Sequence, residues 1–305
     1  MHIKEYIKHP TKILLKLDNL GLYRLSDEKY LKMYYKYKIG KKLDLDNPKG
    51  FNEKLQWLKL HDKNPDYIKM VDKYEVKSYI SKTIGKEYLI PTIGIYNDVE
   101  EIDFNSLPDK FVIKCTHDSG SVMVCKDKKS FDIENVKKRL KKYLKRNYYY
   151  GGREWPYKNI QPRIIIEEYM VDKEQTDLND YKFLCFNGKM KCSFVCTNRY
   201  SKEGLNVTFF DRDWHKMPFE RHYPIDKGDI KKPKNYELMI KLAEELSQGI
   251  PFVRVDFYEI NNKVYFGELT FFPGNGFEEF TPDEWDYKLG EMIDLSVVKD
   301  VEHND

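Results

Sequence analysis

Through the first 60 residues apolar side chains recur at helical spacing, with breaks at Asn19-Leu20-Gly21 and Asp46-Asn47-Pro48-Lys49-Gly50 and one clear stripe of Phe51, Leu55 and Leu58. This predicts a helical lead-in. A further helix is expected over 66–83, ending before Gly85, after which the period shortens. Tyr88 to Ile95 reads as a strand, with Pro91 suited to its start or to a sheet edge. Phe111-Val112-Ile113-Lys114-Cys115 makes the next strand, a polar Gly-containing turn follows, and Val122-Met123-Val124 makes another. An amphipathic helix then runs through Ile133, Val136, Leu140 and Leu144. Beyond the Tyr- and Gly-rich stretch Tyr148 to Gly152 comes the apolar strand Ile164-Ile165-Ile166. Two hairpins, turning at Asn187-Gly188 and at Asn261-Asn262-Lys263, flank a helix over 236–247 marked by Leu238, Leu242 and Leu246. No internal repeat interrupts this order.

Composition adds scale. At 305 residues, 41% hydrophobic and 15% aromatic, the chain can bury a sizeable core in two or three compact units. Its five cysteines form no CxxC pair and sit mostly in strand-like runs, so buried, reduced thiols in a cytoplasmic protein are expected. Met1-His2-Ile3-Lys4-Glu5-Tyr6 leads into no apolar signal segment, and no run of about 18 apolar residues exists to span a membrane.

The net charge of +3 is unevenly placed: residues 1–42 hold eleven Lys/Arg against four Asp/Glu, which leaves −4 for the remainder. Such a start is either a solvated helical face or a peripheral contact with the inner membrane surface or an anionic polymer. A second cluster, Lys137 to Arg146 with seven basic residues in ten, lies on the amphipathic helix and faces solvent or an acidic substrate. The basic runs sit on separate helices, which argues against nucleic acid. The histidines show no HxxxH spacing, which argues against a histidine metal site.

The stretch richest in chemistry is Arg254-Val255-Asp256-Phe257-Tyr258, a turn, then Gly267-Glu268-Leu269-Thr270. A two-residue loop would pair Asp256 with Gly267 and turn Glu268 to the opposite face. The three-residue loop Asn261-Asn262-Lys263 sets 256 opposite 268, with Arg254, Asp256, Glu268 and Thr270 on one side. Opposed carboxylates suit Mg²⁺ shared with substrate phosphates, and a neighbouring arginine suits developing phosphoryl charge. The alternative is a surface hairpin whose carboxylates are solvated or paired with Arg254. Phe271-Phe272-Pro273-Gly274-Asn275-Gly276, read as a loop with two exposed aromatics, favours a site. Upstream, Lys114 ends a strand just before Thr116-His117-Asp118-Ser119-Gly120-Ser121, a turn whose N–H groups can cover phosphates but which lacks the P-loop pattern.

In this order the elements resemble the ATP-grasp superfamily, and within it the teichuronopeptide-biosynthesis (TupA-like) branch associated with bacterial surface polysaccharides. The likeness covers roughly residues 45–290 and opens with Asn47-Pro48-Lys49-Gly50-Phe51-Asn52-Glu53-Lys54-Leu55-Gln56-Trp57. It implies an α+β fold in which two lobes clamp ATP: an N-terminal helical segment (1–62), a helix and strand region (63–109), a small lobe (110–170) and a large lobe (171–305). It also implies roles. Lys73, in a helical Asp72-Lys73, and Lys114 would reach the phosphates, and His117, Ser119, Gly120 and Ser121 would close over them. Glu167 would accept from the adenine amino group, Glu168, Tyr169 and Met170 would form the hinge at the ring, and Asp180 would bind ribose with Lys182 in the same cleft. Asp256 and Glu268 would hold Mg²⁺, with Arg254 steadying the transferred phosphoryl group. The superfamily usually has Glu-x-Asn at its second and third ligands, whereas here Thr270 follows Glu268-Leu269. Arg199 is a candidate clamp for a substrate carboxylate.

The resemblance therefore implies an ATP- and Mg²⁺-dependent ligase that activates a carboxylate as an acyl phosphate and joins it to an amine. The expected partners are an acidic glycan or sugar precursor and a small amine or amino acid. A glycosyltransferase using Asp211-Arg212-Asp213 and a sugar kinase in the same nucleotide cleft are the rivals; a non-enzymatic polysaccharide scaffold accounts poorly for the lysines and carboxylates.

Overall fold

A computed structural model describes residues 10–298 apart from 20, 173–179, 199–200 and 202–203. Two antiparallel sheets organise the chain. The first has the order β1-β4-β2-β3, from β1 (Thr92–Tyr96), β2 (Phe111–Cys115), β3 (Met123–Cys125) and β4 (Ile164–Glu168). Strand alternation sends Phe111, Ile113 and Cys115 inward and leaves Val112 and Lys114 on the other face. Ile164, Ile165 and Ile166 in β4 are fully buried, as a continuous apolar run requires.

Eight helices are described: α1 (Pro10–Asn19), α2 (Asp27–Ile39), α3 (Phe51–His61), α4 (Asp66–Val71), α5 (Val76–Thr83), α6 (Ile133–Leu144), α7 (Tyr236–Leu246) and α8 (Glu284–Glu291). Val136 and Leu140 of α6 join the core of the first sheet, which leaves its lysines toward solvent; Lys141, for example, is half exposed and pairs with Glu100 at 2.6 Å.

The second sheet has the order β10-β9-β5-β6-β7, from β5 (Asp180–Phe186), β6 (Lys189–Thr197), β7 (Asn206–Asp211), β9 (Phe252–Ile260) and β10 (Lys263–Thr270); β8 (Glu220–Arg221) and β11 (Phe280–Thr281) form a small pair beside it. Met239, Ala243 and Leu246 of α7 are buried in its core. Phe51 of α3 packs edge-on against Phe252 at 5.0 Å between ring centres, so α3 belongs to this large core. Leu15 of α1 and Tyr30 and Tyr35 of α2 form a separate cluster with Phe277.

Three expectations change. The helix over 66–83 is two helices, because the Asp72 carboxylate accepts the N–H groups of Tyr74 and Glu75 at 2.7 and 2.9 Å and makes a turn between them. Lys73 thus lies in a turn and not on a helix. The first strand begins at Thr92 after a short 3-10 turn at Lys86–Tyr88. Phe271 and Phe272 are buried, not exposed: Tyr67 of α4 stacks on Phe271 at 4.1 Å. None of the five cysteines forms a disulfide. Among the described residues no helix is long and apolar enough to cross a membrane.

Candidate active site

The β9–β10 hairpin turns through two residues, Asn261 and Asn262, both at positive φ. Ile260 therefore faces Lys263, and Phe257 faces Phe266. By that register alone Glu268 would point away from Asp256. A β-bulge corrects it: beyond Phe266 the pairing resumes one residue later, with Leu269 opposite Val255 and Thr270 opposite Arg254. Gly267 and Glu268 together oppose Asp256. A Cβ at Gly267 would come within 3.1 Å of the Asp256 carbonyl oxygen, so a side chain there would press on the bulge. The carboxylates meet as expected, but through a bulge and not through a three-residue loop.

Across the other edge of β9, Lys182 lies opposite Asp256. One face of the sheet thus presents a row of Lys182, Asp256 and Glu268, with Asp180 and Arg254 two residues away along their strands. Arg254 donates to both Asp256 oxygens (2.6 and 2.7 Å) and to Glu268 (2.6 Å). Lys182 donates to Asp180 at 2.5 Å and also to Asp256. The Thr270 hydroxyl donates to Glu268 at 3.1 Å.

Burial opposes the charge of every member, and the neighbours decide the outcome. At Arg254 and Lys182 the carboxylates outweigh burial and raise both above their usual range. At Glu268 burial is outweighed by Arg254, Lys182 and Lys73, and the carboxyl is held down at about 2. At Asp256, which is 1% exposed, burial wins and pushes the carboxyl up to about 6.

Beside this row lies a cleft of about 850 Å³ between the two sheets. Val112, Val122, Val124, Met170 and Phe266 give it apolar walls, and Lys73, Lys77, Lys114 and Lys126 line it with cations. Glu167, 5% exposed, receives Lys77 and Lys114 at 2.6 Å, one on each oxygen. Burial opposes its charge, but the two lysines outweigh burial and lower its pKa. Lys73 donates to the Asp118 carbonyl, and burial pulls its ammonium down. In the loop after β2, Ser121 is buried: its hydroxyl accepts the Cys115 N–H and donates to Asp118 at 2.5 Å. His117 is buried against the Tyr143 carbonyl at 3.2 Å, while Ser119 and Gly120 form the exposed tip, with Gly120 at φ 92°.

The sequence profile of TupA-like ATP-grasp proteins matches residues 53–294. The chain belongs to the TupA-like ATP-grasp family. Solved structures to which the chain is similar include D-alanine-D-alanine ligase from Helicobacter pylori (15% identity, TM-score 0.44, 80% of this chain and 70% of that one). The enzyme from Bacillus anthracis complexed with ATP gives 14% identity and TM-score 0.42 over 73% and 64%. The ATP-grasp ligase PsnB complexed with minimal precursor gives 8% identity and TM-score 0.39 over 72% and 59%. No curated protein matches the chain.

Within this ATP-grasp chain, Glu168, Tyr169, Met170 and Asp180, the residues expected at adenine and ribose, line the cleft. The turn of the β9–β10 hairpin holds the segment that follows Met170, with Asn261 donating to the Asp172 carboxylate and to the Val171 carbonyl at 2.6 and 3.0 Å. The Glu167 carboxylate, expected to accept from adenine, is engaged by Lys77 and Lys114. Lys77, which holds Glu167, had a sequence signal: it follows Lys73 by four residues. Arg199 lies outside the described residues.

The Asp211-Arg212-Asp213 motif lies away from the cleft and forms a turn. Asp211 accepts the N–H groups of Asp213 and His215 at 2.9 and 2.8 Å, and Arg212 pairs with Glu244 at 2.7 Å.

Among the described residues no group of three or more His, Cys, Asp or Glu converges as a complete metal site. The donor set nevertheless fits a hard dication. Two carboxylates and a hydroxyl share one sheet face, the cluster has three carboxylates against two cations, and the Glu268 side chain is 48% exposed. A Mg²⁺ ion here would complete its shell with phosphate oxygens and water.

Proposed function

We propose that this ATP-grasp protein is an ATP-dependent carboxylate–amine ligase: a substrate carboxylate takes the γ-phosphoryl group of ATP, and an amine then displaces phosphate to leave an amide. The observation that carries this reading is the row of Lys182, Asp256 and Glu268 with Arg254 beside it, next to the lysine-lined cleft. In this reading the backbone at Glu168, Tyr169 and Met170 meets adenine and Asp180 meets ribose. Lys73, Lys114 and the loop of His117, Ser119, Gly120 and Ser121 hold the phosphates. Asp256, Glu268 and Thr270 would hold Mg²⁺, which when bound supplies counter-charge to the phosphate oxygens. Arg254 and Lys73 stand where charge builds on the transferred group, and Arg199 is kept as a candidate substrate clamp. Closing the lobes would keep water from the acyl phosphate.

The acid is proposed to be a uronic acid of a bacterial surface polysaccharide, such as a capsule or teichuronopeptide, or of its precursor; the amine is an amino acid or another small amine. The exposed basic face of α6 supports an acidic glycan. A cytoplasmic setting against the inner membrane surface fits the basic N-terminal helices, where Ile13 and Leu14 are exposed.

The test is the phosphorus product formed from Mg-ATP, a uronic-acid glycan and a pool of amines by the protein and by Asp256→Asn. ADP and phosphate that depend on both acid and amine, reduced about 10³-fold or more in the variant, support the ligase. Phosphate retained on a sugar makes the protein a kinase. Intact ATP with sugar-nucleotide cleavage makes it a glycosyltransferase.

A further inference from the structure

Beside Arg254 and Glu268 lies a second cluster of polar and aromatic side chains that lines neither the nucleotide cleft nor the carboxylate row. Three segments distant in sequence build it. The 3-10 turns at Tyr148–Gly151 and Trp155–Tyr157 bring Tyr148, Glu154 and Tyr157, the turn at Pro273–Gly276 brings Asn275, and α3 brings Lys59. Tyr148 lies against the side chains of Ser119, at the tip of the loop after β2, and of Asn275, so the cluster adjoins the place proposed for the phosphates.

Glu154 is the unusual member. It is 5% exposed, yet among the described residues no hydrogen bond or ion pair reaches its carboxylate. A buried carboxylate without a partner is costly and calls for a ligand or a proton. Lys59 does not serve it: its ammonium is spent on the Gln56 side-chain oxygen and the Gly152 and Asn275 carbonyls at 2.9, 2.7 and 2.8 Å. The side-chain oxygen of Asn275 is also buried without a partner. It occupies the space that a Cβ on Gly152 would take, two residues from Glu154. The Glu154 carboxylate and the Asn275 oxygen are both acceptors; the Trp155 Nε1 donor of the same turn is also buried without a partner. Beside them the rings of Tyr148 and Tyr157 meet edge to face at 4.9 Å. Acceptors with aromatic faces suit a donor that carries positive charge, and a primary ammonium is such a group.

We propose that this cluster receives the amine substrate as its ammonium and that Glu154 is the general base that frees it for attack. The proposal rests on the ligase reading above. The ammonium gives one proton to the Glu154 carboxylate, and the freed nitrogen lone pair forms the C–N bond at the acyl phosphate carbon. The C–O bond to phosphate breaks, and phosphate leaves with the amine's second proton. Burial pushes the Glu154 carboxyl up to about 7, helped by Glu268 and opposed by Lys59 and Arg254, which matches a base working near neutrality. The phenol of Tyr157, raised well above its usual value by burial and by Glu154 and Glu268, stays protonated there, as does Tyr148, pushed up to about 12.

Glu154→Gln separates the two half-reactions. With Mg-ATP and a glucuronic-acid oligosaccharide, hydroxylamine traps the acyl phosphate without needing a base, because it is largely unprotonated at neutral pH; a pool of amino acids and amino sugars does need one. At pH 7.5 the variant is expected to keep hydroxamate formation within a few-fold while amide formation falls roughly 10²–10⁴-fold, the range of a general base. Amide formation should recover as the pH rises and the amine loses its own proton, which a purely structural role would not produce. A melting temperature no lower than that of the unaltered protein would exclude misfolding.

Equal amide formation by both proteins would overturn the proposal, as would a folded variant that loses both reactions together. So would an unaltered protein that makes hydroxamate but no amide from any amine in the pool. If the unaltered protein makes neither product, the ligase reading fails, and this proposal with it.

Discussion

The two sides of the cleft solve the same electrostatic problem with opposite remainders. On one side Lys77 and Lys114 share the single carboxylate of Glu167, so the cluster keeps one positive charge. On the other, Arg254 and Lys182 are shared among Asp180, Asp256 and Glu268, so that cluster keeps one negative charge. Each side is nearly neutral within itself, which lets ionised groups stay buried in the absence of ligand. The remainders then match a polyphosphate on the first side and a dication on the second. A ligand that joins the two charges would also join the two sheets.

Removing the anion of the second side, as in Asp256→Asn, is the largest break in this balance and should abolish turnover while leaving the protein folded. Removing the anion of the first side acts differently. Glu167→Gln leaves two half-buried ammonium groups without their shared partner, at a cost of about 3 kcal/mol from the range for broken buried pairs. Thermal melting should therefore drop by several degrees. Saturating Mg-ATP should restore part of the loss, because phosphate returns the missing negative charge. A variant melting as high as the unaltered protein, or one that nucleotide does not rescue, would refute this account of Glu167.

The sign of the pH effect follows. The folded-state pKa of Glu167 is lowered, so its stabilisation is fully present above the unfolded value of about 4.3 and lost as the pH falls through the lowered folded value. The stability difference between Glu167→Gln and the unaltered protein should therefore shrink on acidification below that unfolded value. A difference constant from neutrality down to pH 3 would contradict it.

A smaller effect is expected at the bulge. In Gly267→Ala the new Cβ must press on the Asp256 carbonyl 3.1 Å away, and backbone yields less readily than a side-chain tip. A displacement of the carboxylate row by a few tenths of an ångström should cost turnover about tenfold and raise the Mg²⁺ requirement, with nucleotide affinity in the lysine-lined cleft little changed. Equal losses in both would mean that the two sides are not separable.

That bulge also marks the limit of what the sequence discloses. The pairing of Asp256 with Glu268 is legible as spacing, but the loop-length argument reaches it by the wrong route. A usable signal does exist: buried positions run 264, 266 and then 269, a slip of phase at Gly267 that only a bulge explains. Strands such as β2 and β4 are legible because period and burial coincide. The break at Asp72 is not, since a helical apolar pattern continues through it and only the side-chain cap ends the helix. The Glu154 cluster is least legible of all, for it is assembled from short 3-10 turns and one helix whose contacts span more than 200 residues and have no period.

The smallest effect is expected at the motif that offered the rival reading. If Asp211-Arg212-Asp213 held a metal and a sugar diphosphate, Asp213→Asn would abolish activity. The Asp211 carboxylate instead accepts two backbone N–H groups of its own turn and the His215 ring at 3.1 Å. Arg212 bridges Glu244 and the Met190 carbonyl, and Phe210 stacks on Trp214 at 4.1 Å. Asp213→Asn should therefore change turnover less than twofold. Asp211→Asn should lower stability by about 1 kcal/mol through weaker turn bonds, with its Mg²⁺ dependence unchanged. A Mg²⁺ requirement that shifts in either variant would move the metal to this turn and leave the excess charge of Asp180, Asp256 and Glu268 without a purpose.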